Sequence, residues 1–373
     1  MKKLPLLYYQ RKKFGDNIFQ DYVILSVFHL LRDSIQFFEA LTHMGACNED
    51  VYIIGIPYSN KKDSVKKLKN KGYNVFTPNF PIEKTILHII EESCICCTNK
   101  NKSLLIIEDG GYIIPMIHQF DELLHNVIGA VEQTARGVWN DKNVDLKVPV
   151  LTVAFSEFKK ELEAPEVGKA VVINIRQLLS ERTFLRGKKV GVMGFGTIGK
   201  NVAQCLKDLG AIVKISEIDI KKAIIAQLSG FEHLDSKSLI KECDIIIGTT
   251  GRKSIGLNEI LAAKNNTIFV SASSKQIEID MDSLERLSMS KEVLSIGTEY
   301  KLVNKNKVLV LANGFPVNFY CSESVPDRLI DFILSEILEC AFKLATEKFP
   351  AGIHEDCIDE KALAEIFYKI HFG

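Results

Sequence analysis

One stretch constrains this chain more than any other. Lys188-Lys189-Val190-Gly191-Val192-Met193 runs directly into Gly194-Phe195-Gly196-Thr197-Ile198-Gly199, and a helical pattern continues to Leu209. A lone G-x-G-x-x-G is a weak signal. Here it follows a strand, opens a helix and precedes a second strand ending at Glu217, 23 positions after Gly194. Those are the parts of a dinucleotide-binding turn. Gly194 permits the tight turn, Gly196 lets backbone amides approach a diphosphate, and Gly199 lets helix and strand pack closely. Thr197 and Ile198 open the helix, whose unpaired amides and dipole favour an anion. Glu217 is spaced to accept hydrogen bonds from a ribose diol and to repel a 2′-phosphate, so the expected cofactor is NAD rather than NADP. Thr249 and Thr250 follow the predicted strand Asp244–Gly248, where a loop of such a fold touches the cofactor. With Lys189–Met193, Ile212–Ser216, Thr267–Ser271 and Val308–Leu311 as further strands, residues 185–326 read as a Rossmann domain.

The first half also alternates apolar runs with helical patterns. Strands are expected at Tyr22–Phe28, Val51–Ile56, Ser103–Ile107 and within Val148–Phe155. Helices are expected to Met44, from Asp63, over Glu83–Glu92, around Ile113–Leu124 and over Val167–Ser180. Such alternation predicts an α/β protein with two doubly wound parallel-sheet domains. The first covers 1–184 and is completed by the late helices Asp327–Thr346 and Asp359–His371, within 327–373.

Of 373 residues, 47 are basic and 47 acidic, so no global field draws the chain to nucleic acid or an anionic membrane. The Lys61–Lys71 cluster reads as a solvated helix face. The N-terminal apolar stretch is shorter than the roughly 7–15 residues of a signal peptide, and no window reaches the roughly 18 of a membrane span, so a cytoplasmic protein is expected. Nine cysteines lie mostly in apolar periodic segments and read as core thiols. Cys94, Cys96 and Cys97 lack a second ligand pair at finger-like spacing, so no metal is expected.

The run LRGKKVGVMGFGTIGKNVAQCLKDLGAIVKISEIDIKKA resembles the NAD domain of the S-adenosylhomocysteine hydrolase family. So do IIIGTTG, IEID, LANGFPVNF and FPAGIHE. The first half is similar to the family more loosely, through SVFH, IIEDGGYIIPMIH, GAVEQTARGVWN and LKVPVLTV. The resemblance implies transient oxidation of a ribose hydroxyl by tightly held NAD, elimination of a thiolate β to the ketone, addition of water, and return of the hydride. It also implies a nucleoside substrate, a role in one-carbon metabolism and a homo-oligomer. Residue by residue, His29 matches the family's acid/base histidine and Asp109 the aspartate before two glycines. Lys159 matches the lysine that assists hydroxyl deprotonation, and Asn318 an asparagine beside the nicotinamide. Glu163 stands where the family has aspartate, and Gln133 replaces a ribose-binding glutamate. His29 and Asp109 each directly follow a predicted strand, at the edge where doubly wound sheets bind ligands.

The departures concern the base. Leu31 replaces a threonine, Asp33 a purine-contacting glutamate, and Ser273, Ser274 and Lys275 a glycine-histidine-phenylalanine. Val325 replaces a histidine before proline, and the family's long basic tail is missing after Gly373. The expectation is an NAD-dependent enzyme acting on a different nucleoside or sugar thioether. A genuine S-adenosylhomocysteine hydrolase with an unusual purine pocket and a catalytically inactive NAD-binding regulatory protein stay open.

Overall fold

The computed structural model describes residues 4–320 and 322–373. Two compact units emerge, Met1–Leu162 with Pro326–Gly373, and Glu163–Val325.

The first unit is built on strands β1 (Tyr22–Phe28), β2 (Val51–Gly55), β3 (Asn74–Phe76), β4 (Ser103–Glu108), β5 (Val127–Glu132) and β6 (Pro149–Thr152), joined late in the chain by Gly352–His354. All neighbours run parallel, in the order β3-β2-β1-β4-β5-β6 followed by Gly352–His354. Strands buried on both faces must be apolar throughout, which is why β1 and β4 read as unbroken runs. Alternate side chains then serve opposite layers. Val23, Leu25 and Val27 meet Ile86, Ile89 and Ile90 of the helix Glu83–Lys100 on one face. Ile24 and Phe28 meet Phe37, Phe38, Ile333, Leu334 and Ile337 on the other, the last three from the helix Asp327–Thr346. Each such aliphatic side chain contributes about 1.5–3 kcal/mol by leaving water.

The elements absent from the sequence reading include three here. The helix Pro5–Phe14 was hidden by its basic ends, and the buried Asp331 carboxylate fixes its first turn by accepting from the Leu6 and Leu7 amides at 2.9 Å. β3 is only three residues long. β5 is interrupted by Gly129, where the register on β4 shifts.

The second unit contains β7 (Lys189–Met193), β8 (Ile212–Ser216), β9 (Glu232–His233), β10 (Ile245–Gly248), β11 (Thr267–Ser271), β12 (Ser288–Leu294), β13 (Gly297–Leu302) and β14 (Lys307–Leu311). The order is β9-β8-β7-β10-β11-β14-β13-β12. This sheet is not wholly parallel, because β12 and β13 form an antiparallel hairpin at its edge. SMSKEVL is largely exposed as an edge strand and so lacks the apolar run that marked the others.

The division between units falls at 162/163, whereas the sequence reading placed it at 184/185. The cause is the helix Ala164–Leu178, which lies against the helix Thr197–Asp208. A Cβ on Gly168 would stand 2.7 Å from Asn201 Cβ, so the backbones approach closely. Val171, Val172 and Ile175 share one core with Val202, Ala203 and Leu206.

Candidate cofactor site and candidate active site

In the second unit the chain reverses strand order between β7 and β10, and ligands of doubly wound sheets bind outside the strand ends at such a point. The three glycines there do three different things. Gly194 takes φ +96°, which favours glycine. Gly199 has no room for a side chain, since a Cβ would lie 2.2 Å from Gly194 O. Gly196, at φ −74°, would tolerate a Cβ sterically, because nothing lies within 4 Å of it. Its glycine therefore serves whatever approaches from outside, which is how a diphosphate cradle differs from a simple turn. Thr197 begins the helix Thr197–Asp208, and Ile198 packs partly into the core beneath.

Glu217 lies just past β8, where Oε2 accepts the Phe195 amide at 2.6 Å and Oε1 the Asp219 amide at 2.9 Å. Each carboxylate oxygen keeps a lone pair for a ribose diol. Thr249 and Thr250 turn inward. The Thr249 hydroxyl donates to Met193 O at 2.9 Å and Gly194 O at 3.1 Å, locking the glycine turn. Thr250 donates through its amide and hydroxyl to Glu278.

Glu278 is a buried carboxylate beside the cofactor loop that sequence reasoning missed. Fully buried, it also accepts from the Gly251 amide at 2.7 Å, the Ser273 hydroxyl at 2.5 Å and the Ser254 hydroxyl. Burial pushes its carboxyl pKa up, while these donors pull it down. The only sequence signal for it was the IEID run. Asn318 sits in the turn Val317–Phe319 and donates to Ser324 Oγ at 3.0 Å. Its carbonyl is held by Asn174 Nδ2 at 2.9 Å.

The first unit reverses strand order between β1 and β4, and a chain of polar side chains crosses that point. His29 follows β1, and Asp109 follows β4. His29 Nε2 lies 3.3 Å from Asp109 Oδ2, and Gln133 Nε2, one residue past β5, donates to the same oxygen at 2.9 Å. On the other side of the ring, Nδ1 is 2.6 Å from Ser59 Oγ. Three of the five expected catalytic residues thus come together, although up to 104 residues separate them in sequence. Lys159 and Glu163 begin and end a single π-helical turn beyond β6, with the Lys159 amide bound to Ser156 Oγ at 3.2 Å. Such turns are frequent at functional sites.

Two further buried carboxylates went unrecognised in the sequence. Glu108 accepts from the amides of Tyr112, Ile113 and Ile114 at 2.7–3.1 Å. Glu132 accepts from the amides of Gly110, Gly111 and Thr134 and from the Thr134 hydroxyl at 2.6–3.1 Å. Between them they tie down the loop leaving Asp109. A Cβ on Gly137 would fall 2.0 Å from the Glu132 carboxylate, so that glycine makes room for it. Ligand atoms of Glu108, Glu132 and Asp141 lie within 4.8 Å of one another, a spacing that would suit a metal ion. Seven donors already occupy the two glutamates, which accounts for them without one. Burial, followed by the charges of Glu108, Asp141 and Asp109, raises the Glu132 pKa well above the usual carboxylate range.

Cys94 and Cys97 are buried in the helix Glu83–Lys100, and burial pushes their thiols up to about 11 and about 12. Of the departures, Leu31 is buried, Asp33 heads the helix Ser34–His43, and Ser273 has become a Glu278 ligand.

Comparison with known proteins places the cofactor domain in a family. Residues 175–324 match the family described as S-adenosyl-L-homocysteine hydrolase, NAD binding domain. Over 342 residues the chain is 30% identical to an S-inosyl-L-homocysteine hydrolase of Methanocaldococcus jannaschii, covering 88% of this chain and 79% of that protein. An adenosylhomocysteinase of Sulfolobus acidocaldarius is 27% identical over 336 residues, covering 88% and 79%. One of Thermotoga maritima is 28% identical over 287 residues, covering 74% and 68%. NAD is the cofactor of the glycine site, and among the described residues no helix is long and apolar enough to cross a membrane. With its glycine cradle and a match running through most of its length, the chain belongs to the S-adenosyl-L-homocysteine hydrolase family.

Proposed function

We propose that this chain is an NAD-dependent hydrolase of S-nucleosyl or sugar thioethers whose base is not adenine. The observation that carries the reading is the Ser59–His29–Asp109–Gln133 chain at the first unit's switch point, an acid/base device at the place where such sheets bind ligands. Bound NAD supplies a hydride acceptor that converts a secondary hydroxyl into a ketone and later returns the hydride. Lys159 takes the hydroxyl proton. Asp109, oriented by two N–H groups on one oxygen, takes the carbon proton that the ketone acidifies. His29 delivers a proton to the departing thiolate and recovers one from the water that replaces it. Gln133 offers its carbonyl to a hydroxyl, and Glu163 supports Lys159 from the far end of their shared turn. Glu217, Thr249, Thr250 and Asn318 shape the cofactor's surroundings.

The base assignment rests on residues. Leu31 and Val325 offer no hydrogen bond where the family has threonine and histidine, and unmatched polar partners cost factors of about 10⁴ at sites built to recognise them. The relative from M. jannaschii is named for an inosyl substrate, so hypoxanthine is the first base to test. Thiol release should be measured from S-inosyl- and S-adenosyl-homocysteine and a set of sugar thioethers. Release from a non-adenine thioether, with feeble release from the adenosyl compound, is expected. Efficient adenosyl turnover, with kcat within about an order of magnitude of 10 s⁻¹, would establish a genuine S-adenosylhomocysteine hydrolase instead. A protein that binds NAD yet releases thiol from none of them would favour a regulatory role.

A further inference from the structure

In the proposed function Lys159 takes a proton from a hydroxyl while hydride leaves the carbon that bears it. Its amine must be placed closely for that, since a misplacement of about 1 Å can cost 10²-fold. Yet the amine ends a flexible four-carbon stem, and the π turn Lys159–Glu163 that carries it has no buried residue. Whatever fixes the amine must first fix the start of that turn.

The holders come from the end of the chain. Phe158, one residue before the lysine, stacks on Phe332 with ring centroids 3.5 Å apart and meets Phe367 edge-on at 6.2 Å. Phe332 and Phe367 meet edge to face at 5.4 Å, so the three rings close on one another. Phe367 belongs to the helix Glu360–His371, and Glu360, in its first turn, accepts the Glu157 amide at 2.9 Å. Ser156 donates its hydroxyl to the buried Glu336 at 3.3 Å, which leaves its lone pairs to accept the Lys159 amide at 3.2 Å. The residues from Ser156 to Lys159 are thus held, directly or through Ser156, by side chains from positions 332–367.

We propose that Glu360 and Phe367 are positioning residues for Lys159, acting through the Glu157 amide and the Phe158 ring. The last helix does not need these contacts to form. Asp359 caps its start by accepting the Ala362 amide at 3.0 Å, and Leu363 already packs with Leu6 and Phe332. The Glu360 carboxylate is spent instead on the backbone two residues before the lysine. Ring-on-ring contacts add direction to burial, because aromatic pairs prefer particular angles where aliphatic side chains do not. A shift of the turn would have to pull Phe158 from both rings and the Glu157 amide from its acceptor together.

This inference rests on the role proposed for Lys159, so its test has one arm that needs turnover and one that does not. Full-length protein is loaded with NAD and given the thioether that releases most thiol. The single-turnover rise of enzyme-bound NADH should slow about tenfold in Glu360→Ala, the size of one hydrogen bond. Glu360→Gln keeps an acceptor oxygen and should restore the rise. Phe367→Leu keeps an apolar core side chain but loses the ring contacts, and should slow the rise similarly. KM and NAD affinity should stay near the parent's in all three, whereas a general loosening of the fold would move them too. A rise as fast as the parent's in Glu360→Ala and Phe367→Leu overturns the proposal, as does a loss that Gln does not recover. If no thioether reduces the parent's NAD, the proposed function fails and amide exchange decides this inference. In Glu360→Ala the Glu157 and Lys159 amides should exchange about tenfold faster while those of β4 and β5 stay as in the parent. Unchanged exchange at both amides would show that the last helix does not hold the turn.

Discussion

The two switch points invite comparison because the strand order around them is the same. Counted within each unit it runs 3-2-1-4-5, as β3-β2-β1-β4-β5 in one and β9-β8-β7-β10-β11 in the other. The crevice at β7 is made of backbone, with a positive-φ glycine, a glycine facing open space and a helix N-terminus. The crevice at β1 is made of side chains, with His29, Asp109, Gln133 and Ser59 delivered by four different strand ends. Both lean on buried glutamates, Glu278 in one and Glu108 with Glu132 in the other, whose carboxylates gather loop amides. A backbone site can recognise a cofactor shared by many enzymes. Only a side-chain site can be retuned to a new substrate while the sheet stays as it is.

That contrast breaks most visibly at Gly196. Gly196→Val should abolish NAD binding while thermal unfolding stays close to the parent, because a Cβ there has no protein atom within 4 Å. Gly199→Val should instead destabilise the second unit, since its Cβ has nowhere to go. Calorimetric titration with NAD and a melting curve for each variant check both, and a Gly196→Val protein that binds NAD normally would contradict the cradle. Next in size, Asp109→Asn should slow thiol release by about 10²–10⁴, the range of a positioned acid/base group, with NAD affinity unaltered. A loss of NAD affinity instead would mean that Asp109 acts through the fold.

The supporting glutamates sharpen the comparison at smaller scale. Glu278→Ala removes the shared acceptor of five hydrogen-bond donors and should cost the second unit about 3 kcal/mol, read by amide exchange on β10 and β11. Glu132 gives a pH effect. Its folded pKa is raised above the roughly 4.3 of an unfolded glutamate. The folded state therefore holds a proton that the unfolded chain has released, and this group's contribution to stability falls as pH rises from about 4 through the folded pKa. Glu132→Gln should flatten that slope in denaturant titrations. An unchanged slope would mean that the carboxyl is ionised when folded.

The same contrast explains what the sequence made legible. The cofactor crevice could be read because its parts lie within one βαβ segment, and glycine positions specify backbone geometry directly. His29 and Asp109 were visible as polar residues ending apolar runs. The partner joining them to a fourth strand end, Ser59, was not, because nothing in YIIGIPYSNKK distinguishes a serine facing histidine from one facing water. Glu108 and Glu132 look in sequence like ordinary strand-end polar residues, and only the folded loop shows that they are buried. β12 and β13 were missed for a related reason, since an exposed edge hairpin has no two-faced apolar run.

The central claim is that Lys159 and Asp109 divide the work around a transient ketone. It is tested most directly by single-turnover absorbance of enzyme-bound NADH, using the thioether that gives the most thiol release. The account predicts that the parent shows a rise and fall and that Lys159→Ala shows no rise. Asp109→Asn should show a rise that persists, because the steps after oxidation are blocked. If neither substitution alters the trace given by the parent, or if no thioether reduces the parent's NAD at all, the account is contradicted.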